Sequence, residues 1–427
     1  MQCADLEVPV DHANPGGRTI TLKLGRLPAT GRSEGSVLVA YGGPGGPGIE
    51  TTRRSAESWS ELRSELDIIT WDTRGYGEQF GGLSEGLDCT WTRLPVPEVP
   101  TDEAAFDLMK LANRGYASMC RPRDPELFDH MSSADNAQDM EAIRQALGEP
   151  KLNFYGASYA GLYAQAYARL FPDRVRTLVL DGTTNHTTSN TQREYVAMAR
   201  SNEQTMQRFF DWCRERDACA ISQRPERLWQ RLLDRVEAEP IRADRNGYHY
   251  QAVHLRAFAL SMAKSGQDEW PALAKAIRQG LQGDASGLVK GFGEPYPGVT
   301  TPITECLDWH RPDSASELRT AQAAMLEASP SSGAVALSLN LMQCAGWPTP
   351  VTNPPEPLPS GLPPLLAAGA WGEDEASMRA IEDVPGSALI SYDGPGHTLY
   401  SNNECARDHI NRYFTDRKLP HKRTWCE

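Results

Sequence analysis

The chain has 427 residues, enough for one large sheet with a second lobe inserted into it. Its formal net charge is −13 at pH 7 and it has no run of Lys and Arg, so we expect no nucleic acid partner. No apolar stretch approaches the roughly 20 residues that a membrane-spanning helix needs, so we expect no membrane span.

Short apolar segments alternate with amphipathic ones, which predicts a mostly parallel sheet flanked by helices. The predicted strands are RTITLKLGRL, SVLVAY, LDIITWD, KLNFYG, RTLVLDG, PPLLAAGA and SALISYDG. The segment SYAGLYAQAYARLF, which ends at Pro172, has the pattern of a helix. With the strands on either side, it predicts a right-handed crossover, and we assign the chain to the α/β class.

A long helical insertion interrupts this alternation from about Thr183 to Gln343, where apolar residues recur at three-to-four spacing. We predict that the insertion forms a lid. The stretch GWPTPVTNPPEPLPSGLPP then leads back to the sheet, because its prolines exclude both a helix and a central strand. The predicted domains are a core formed by residues 1–182 and 346–427 and a helical lid formed by residues 183–345.

A glycine-rich turn, GGPGGPG, directly follows the strand SVLVAY. Its glycines allow a substrate to approach the backbone closely, and the N–H group of Gly43 is our first choice as a donor to an oxyanion, with Gly45 as the fallback. A phosphate-cradling loop is the alternative, but the turn lacks the Lys-Ser/Thr ending of a P-loop and the spacing of a dinucleotide fingerprint. We expect no cofactor.

The sequence LNFYGASYAGLY places Ser158 between a strand and a helix. A tight turn there would project a nucleophile beside backbone N–H groups of the helix start, of which that of Tyr159 is our second oxyanion donor. Gly156 and Ala157 are small, as the turn requires, and Ala160 departs slightly from the G-x-S-x-G pattern. An inert serine in a crowded turn is the alternative.

A general base and an acid would have to come from the last part of the chain. His397 follows the strand SALISYDG in a Gly/Pro turn, and we predict that it is the base. The acid is expected after the strand PPLLAAGA, where Asp374 is the first choice and Glu373 the second. Asp181, at the end of RTLVLDG, is a further possibility, and WGEDEASM could also be an acidic surface turn with no role.

Nine cysteines are scattered along the chain without a C-x-x-C pair or a zinc-finger spacing to histidine, so we expect no metal. Disulfides fit this distribution better, and they predict a secreted protein whose signal peptide is not part of this sequence. A cytoplasmic enzyme with buried, reduced thiols is the alternative.

Several segments together resemble the secreted actinobacterial serine peptidases of the proline iminopeptidase and tripeptidyl aminopeptidase group. These segments are the opening CADLEVPVDHANPGGRTITLKL, the turn YGGPGGPG, the loop DIITWDTRGYGE, the region from MSSADN to LVLDG and the ending GHTLYSNNECARDHINRYFTDRKLPHKRTWC. The resemblance covers almost the whole chain and is faintest in the insertion. It implies an α/β-hydrolase fold with an inserted helical lid and a TAP-like C-terminal part.

The resemblance also implies cysteine partners, namely Cys89 with Cys120, Cys213 with Cys219, Cys306 with Cys344, and Cys405 with Cys426, with Cys3 left over. The sequence departs from the group at the acid, because Gly372 stands where a Gly-x-x-Asp-Pro-x-x-x-Pro run would have Asp, and the segment up to Pro385 is shortened. Asp374 could compensate from a rearranged loop, or the protein could lack a proper acid.

We therefore predict a serine exopeptidase that releases amino acids or short peptides from the N-terminus of a peptide. A free amino terminus needs a carboxylate, for which Glu194 and Glu203 on the first helix of the insertion are candidates, although such glutamates are usually only solvated. The altered acid segment motivates an alternative, an ester, amide or lactone hydrolase of a small specialised metabolite. A third hypothesis is a non-enzymatic binding shell, against which the serine, the histidine and the glycine turn argue.

Overall fold

A nine-stranded sheet forms the centre of the protein in a computed structural model, which describes residues 1–78, 81–87, 99–289, 302–335 and 342–427. The strands of the described residues are β1 (Gln2–Pro9), β2 (Thr19–Leu27), β3 (Ser36–Ala40), β4 (Asp67–Trp71), β5 (Leu152–Ala157), β6 (Val175–Asp181), β7 (Ile241–Arg242), β8 (His249–Tyr250), β9 (Leu366–Gly369), β10 (Ala388–Tyr392) and β11 (Arg423–Cys426). The sheet has the order β1-β2-β4-β3-β5-β6-β9-β10-β11, and β7 pairs with β8 in a separate hairpin.

The sheet is mostly parallel, as predicted. The pairs β1-β2 and β2-β4 are antiparallel, and every later pair is parallel. All seven predicted strands are present. The strands β1 and β11 of this sheet were not predicted. Both are edge strands that bury only one side chain each, so they lack the continuous apolar run of a strand buried on both faces.

The helices of the described residues are α1 (Gly48–Arg54), α2 (Glu103–Cys120), α3 (Pro125–Asp129), α4 (Ser133–Ala146), α5 (Ala160–Leu170), α6 (Thr191–Arg214), α7 (Pro225–Ala238), α8 (Ala252–Lys264), α9 (Trp270–Gln282), α10 (Pro302–Asp308), α11 (Ala315–Ala328), α12 (Glu373–Arg379) and α13 (Glu404–Asp416). Apolar residues of α2, α4 and α5 pack on one face of the sheet, and those of α13 pack on the other. Both faces are thereby covered, as a parallel sheet requires.

Four helices between β6 and β9, α6 to α9, enclose an apolar core of their own. These helices lie within the range Thr183 to Gln343, where three-to-four spacing predicts helices, and we call the described residues of that range the insertion. Residues 346–364, the proline-rich stretch, carry no helix or strand and lead into β9, as predicted.

The Asp-x-Arg-Gly loop after β4 is fixed by charge. Arg74 is fully buried, and its Nη2 lies 2.6 Å from Asp139 Oδ1 on α4. Asp72 accepts hydrogen bonds from the backbone N–H groups of Ile49 at 3.0 Å and Leu83 at 2.6 Å. Since Ile49 lies directly after the glycine-rich turn, these contacts hold that turn against the end of β4.

Three of the four predicted disulfides form, Cys213–Cys219, Cys306–Cys344 and Cys405–Cys426. The fourth involves Cys89, which lies outside the described residues. Cys3 is free and exposed, in line with its being left over.

Candidate active site

Ser158 lies in a strained turn between β5 and α5. Its φ is +57°, a left-handed conformation that costs a residue with a side chain about 1–3 kcal/mol and that is typical of a nucleophile between a strand and a helix. Position 156 requires glycine, because a Cβ there would lie 2.6 Å from the carbonyl oxygen of Ala160. The turn is held by a hydrogen bond from Ser158 N–H to the carbonyl oxygen of Asp181, at 2.8 Å.

The glycine-rich turn lies directly against this serine. A Cβ on Gly42 would be 2.5 Å from Ser158 Oγ and 2.6 Å from the nitrogen of Tyr159, so only glycine allows this approach. Gly43 has φ +128°, another conformation that favours glycine. Within the part of the chain that the structure describes, the N–H groups of Gly43 and Tyr159 donate to no protein acceptor, which leaves both available for a bound oxyanion.

His397 and Glu373 form a close pair. His397 Nδ1 lies 2.6 Å from Glu373 Oε1, and the imidazole is 55% exposed while the carboxylate is only 18% exposed. With Nδ1 facing the carboxylate, Nε2 is the nitrogen left for proton transfer. Ser158 Oγ and His397 share no hydrogen bond in the described structure, as often occurs before a substrate aligns the two groups.

The structure does not bring Asp374, our first choice of acid, to the histidine. Its Oδ2 instead accepts a hydrogen bond from Ser391 Oγ at 2.9 Å and lies 3.4 Å from Arg423 Nη2. The two neighbouring carboxylates begin α12 and point in different directions, and Gly372, with φ +73°, sets their orientation. The second choice, Glu373, occupies the position that the first was predicted to fill.

Asp181, the further possibility for the acid, has a different task. Its fully buried carboxylate accepts hydrogen bonds from the backbone N–H groups of Leu399 and Tyr400, both within 3.0 Å, and from the hydroxyl of Tyr155 at 2.7 Å. Its carbonyl oxygen holds Ser158 N–H. Asp181 therefore fixes the serine turn and the histidine loop relative to one another.

Neighbouring charges shift the pKa of His397 in opposite directions. The hydrogen bond to Glu373 raises the pKa of His397, burial of part of the ring opposes this, and the negative charge of Asp181 adds to the rise. Lys264, at the end of α8, lowers the pKa of His397 by its positive charge. The net effect is a raised pKa of His397.

The loops that carry Glu373 and His397 are tied to the insertion. Trp371 Nε1 donates to Asp393 Oδ1 at 2.8 Å, and Arg208 of α6 bonds the same oxygen at 3.0 Å. The Arg208 guanidinium lies over the Trp371 ring at 4.9 Å, and Trp371 stacks on Trp270 of α9 at 5.9 Å. These four residues form a contact that the sequence did not indicate.

A small cavity of about 90 Å³ lies beside the Ser158 turn, where Tyr159 lines it. Tyr159, Tyr195 and Trp309 contribute aromatic wall, and Glu194 of α6 lines the cavity as one of its two carboxylates. Glu194 Oε2 accepts a hydrogen bond from Arg379 Nε at 2.9 Å, so its charge is paired within the protein.

Glu203, the other predicted substrate carboxylate, is occupied within the insertion. Its oxygens accept hydrogen bonds from the hydroxyl groups of Ser329 and Ser331, the backbone N–H of Ser331 and the side-chain amide of Gln207, all within 2.9 Å. Since four donors already satisfy the Glu203 carboxylate, its role is to hold the loop after α11.

Two buried carboxylates on α10 were missed by sequence reasoning. Asp308 accepts a hydrogen bond from the hydroxyl of Tyr159 at 2.8 Å, and burial raises its pKa to about 6. Burial, with a smaller contribution from Asp308, raises the pKa of Glu305 to about 8. The signal was the presence of acidic residues in PITECLD, a short segment that is buried throughout.

Among the described residues, the cluster of potential metal ligands is Cys405, His409 and Cys426. Its two cysteines are joined in a disulfide, so neither offers the thiolate that a metal would bind. No helix in the described ranges is both long and apolar enough to span a bilayer.

Residues 35–273 match the family model of the alpha/beta hydrolase fold. That match covers more than half of the chain, and the chain therefore belongs to the α/β-hydrolase family. Residues 329–426 match a second model, described as TAP-like protein, which confirms the TAP-like C-terminal part that the resemblance implied.

Relatives with peptidase names match different shares of the chain. The tripeptidyl aminopeptidase of Streptomyces lividans is 36% identical over 197 residues, which are 43% of this chain and 36% of that protein, so the match spans about a third of the relative. Serine protease Hip1 of Mycobacterium tuberculosis is 24% identical over 464 residues, 99% of this chain and 87% of that protein. A crystal structure of proline iminopeptidase from Mycobacterium smegmatis covers 97% of this chain and 98% of its own at 12% identity and a TM-score of 0.39.

Proposed function

We propose that this protein is a serine exopeptidase that releases amino acids or short peptides from the N-terminus of peptides through an acyl-enzyme. The observation that carries the proposal is the double role of Asp181, whose carbonyl oxygen holds the Ser158 turn and whose carboxylate holds the backbone after His397. A residue that couples these two loops serves a reaction that needs both side chains at once.

In the proposed first step, Ser158 Oγ attacks the scissile carbonyl carbon while His397 Nε2 takes its proton. Glu373 holds the imidazole through Nδ1 and stabilises the imidazolium that forms. The N–H groups of Gly43 and Tyr159 donate to the negative oxygen of the tetrahedral intermediate. Collapse of that intermediate breaks the C–N bond, and the proton on His397 goes to the leaving amine.

The second step repeats this chemistry with water. His397 takes a proton from a water molecule, the resulting hydroxide attacks the ester carbon on Ser158, and the same two N–H groups hold the oxyanion. Return of the proton to Ser158 Oγ releases a carboxylic acid and restores the enzyme. Every proton is accounted for by one histidine.

The restriction to a chain end rests on the cavity beside Tyr159. Its volume of about 90 Å³ accommodates a chain end or one side chain. We propose that Glu194, in the wall of this cavity, holds the free amino group, since Oε1 is not used by Arg379. The three disulfides and the peptidase names of the relatives support an enzyme that works outside the reducing cytosol on peptide substrates.

The test is covalent labelling followed by turnover. We expect a fluorophosphonate probe to label the protein at Ser158, and Ser158→Ala to abolish labelling while its thermal unfolding stays close to that of the parent. We then expect aminoacyl or tripeptidyl fluorogenic amides with a free amine to be cleaved and their N-acetylated counterparts to be poor substrates. Labelling without turnover of any free-amine peptide would refute the exopeptidase proposal.

A second candidate function, hydrolysis of an ester, amide or lactone of a small metabolite, is favoured by the pairing of Glu194 with Arg379. An internally neutralised carboxylate attracts an ammonium group less strongly than a free one. Faster turnover of acyl esters than of peptides, with N-acylation tolerated, would select this alternative.

A further inference from the structure

A second cavity adjoins the one beside Tyr159. It is an open groove of about 520 Å³ lined by residues on one face of α6 and by Arg379. Ala197 and Arg379 line both spaces, so the two cavities adjoin at these residues. We call this space the arginine groove because Arg193, Arg200 and Arg379 line it.

The charge of the groove contrasts with that of the whole chain. No carboxylate is among the residues that line the groove, although the protein has a net charge of −13. Arg193 and Arg200 lie one above the other on α6 with exposed side chains, and within the described part of the chain neither guanidinium makes a hydrogen bond or an ion pair. Guanidinium groups without a protein acceptor keep their donors available for a carboxylate.

Arg379 stands where the two cavities meet and is bonded to Glu194 at 2.9 Å. The pair thus presents one positive and one negative group at the junction. A ligand with its own ammonium and carboxylate groups can satisfy both partners, the ammonium at Glu194 in the inner cavity and the carboxylate at Arg379 and the groove.

We propose that the substrates of this enzyme are peptides with an acidic side chain close to the amino terminus, and that Arg193 and Arg200 bind that carboxylate in the arginine groove. The inference rests on the proposed function and specifies its substrate class. The other carboxylate that lines the inner cavity, Glu375, is paired with Arg423. Its charge is therefore balanced within the protein, and we assign the preference for an acidic side chain to the arginine groove.

The test compares matched peptides and matched variants. The substrates are short peptides with Glu or its uncharged isostere Gln at one of the first three positions, each with a free or an amidated C-terminus. We expect kcat/KM to favour Glu by about three- to tenfold at one position, as two partly exposed ion pairs permit, and the preference to shrink as salt is added.

We expect R193Q/R200Q to lose this preference while turnover of the Gln peptides is kept. The control is R227Q/R231Q, which removes two exposed arginines spaced one turn apart on α7 and outside both cavities. Equal loss of preference in the control would overturn the proposal.

The remaining outcomes are also decisive. Equal turnover of Glu and Gln peptides would overturn the inference and leave the exopeptidase proposal standing. If kcat/KM depended on a free C-terminus and not on Glu, the groove would bind the carboxylate of the leaving fragment. That result would overturn the proposal that the groove binds an acidic side chain. No turnover of any peptide would overturn the proposed function and this inference with it.

Discussion

Replacing Glu373 by Gln tests the assignment of the acid most directly. The substitution keeps the size of the side chain and removes the charge that faces His397 Nδ1 at 2.6 Å. The matched control is Asp374→Asn, one residue along the same helix, whose carboxylate faces Ser391 instead. Both variants remove one negative charge from the first turn of α12.

The expected loss follows from the distance and the exposure. Two unit charges 2.6 Å apart attract one another by about 6 kcal/mol at an effective dielectric constant of about 20. Since the imidazole is 55% exposed, we expect water to replace about half of this when the carboxylate is removed. A loss of about 3 kcal/mol in transition-state stabilisation corresponds to a rate about a hundredfold lower.

The assay is kcat/KM on an activated ester and the rate of inactivation by a fluorophosphonate, because both reactions require Ser158 to lose its proton. We expect Glu373→Gln to slow both by about a hundredfold and Asp374→Asn to change either by less than about threefold. Circular dichroism and thermal unfolding should show that both variants fold. A hundredfold loss in Asp374→Asn together with a small effect in Glu373→Gln would refute the assignment.

The remaining predictions concern the pH dependence of the activity and the contribution of two ion pairs to stability. Because the pKa of His397 is raised and the base must be neutral, kcat/KM should fall with decreasing pH around a midpoint above that of an ordinary histidine. Lys264→Met should move this midpoint to higher pH, since a cation that opposes protonation is lost; a midpoint unchanged or lower would contradict the reasoning. Arg74→Met should lower the free energy of unfolding by about 3–5 kcal/mol in urea titrations, because Asp139 stays buried without its partner, whereas Arg242→Gln at an exposed pair should cost less than about 1 kcal/mol.

Much of the fold was predictable because its signals are local. Every residue of β5 is buried, because both faces of a parallel sheet are covered. The insertion stands out because the spacing of its apolar residues changes to that of helices. The edge strands β1 and β11 were not predicted, because each buries only one side chain and therefore lacks an apolar run.

Which carboxylate faces His397 could not be predicted from one segment of the sequence. Glu373 and Asp374 are neighbours with the same charge, and the left-handed turn at Gly372 decides which of them faces His397. A Cβ on Gly372 would collide with Ser201 of α6, so the turn itself is fixed by packing against the insertion. No pattern in WGEDEASM records that contact.

By itself, the sequence determined the α/β fold, the turn that presents Ser158 and the histidine loop, because small residues, apolar runs and prolines act on their own immediate neighbours. Only the tertiary structure decided that Glu373 meets His397, that donors within the insertion satisfy the Glu203 carboxylate and that the arginine groove adjoins the cavity beside Tyr159. These features join residues far apart in the chain, and their geometry is set by packing between the insertion and the sheet.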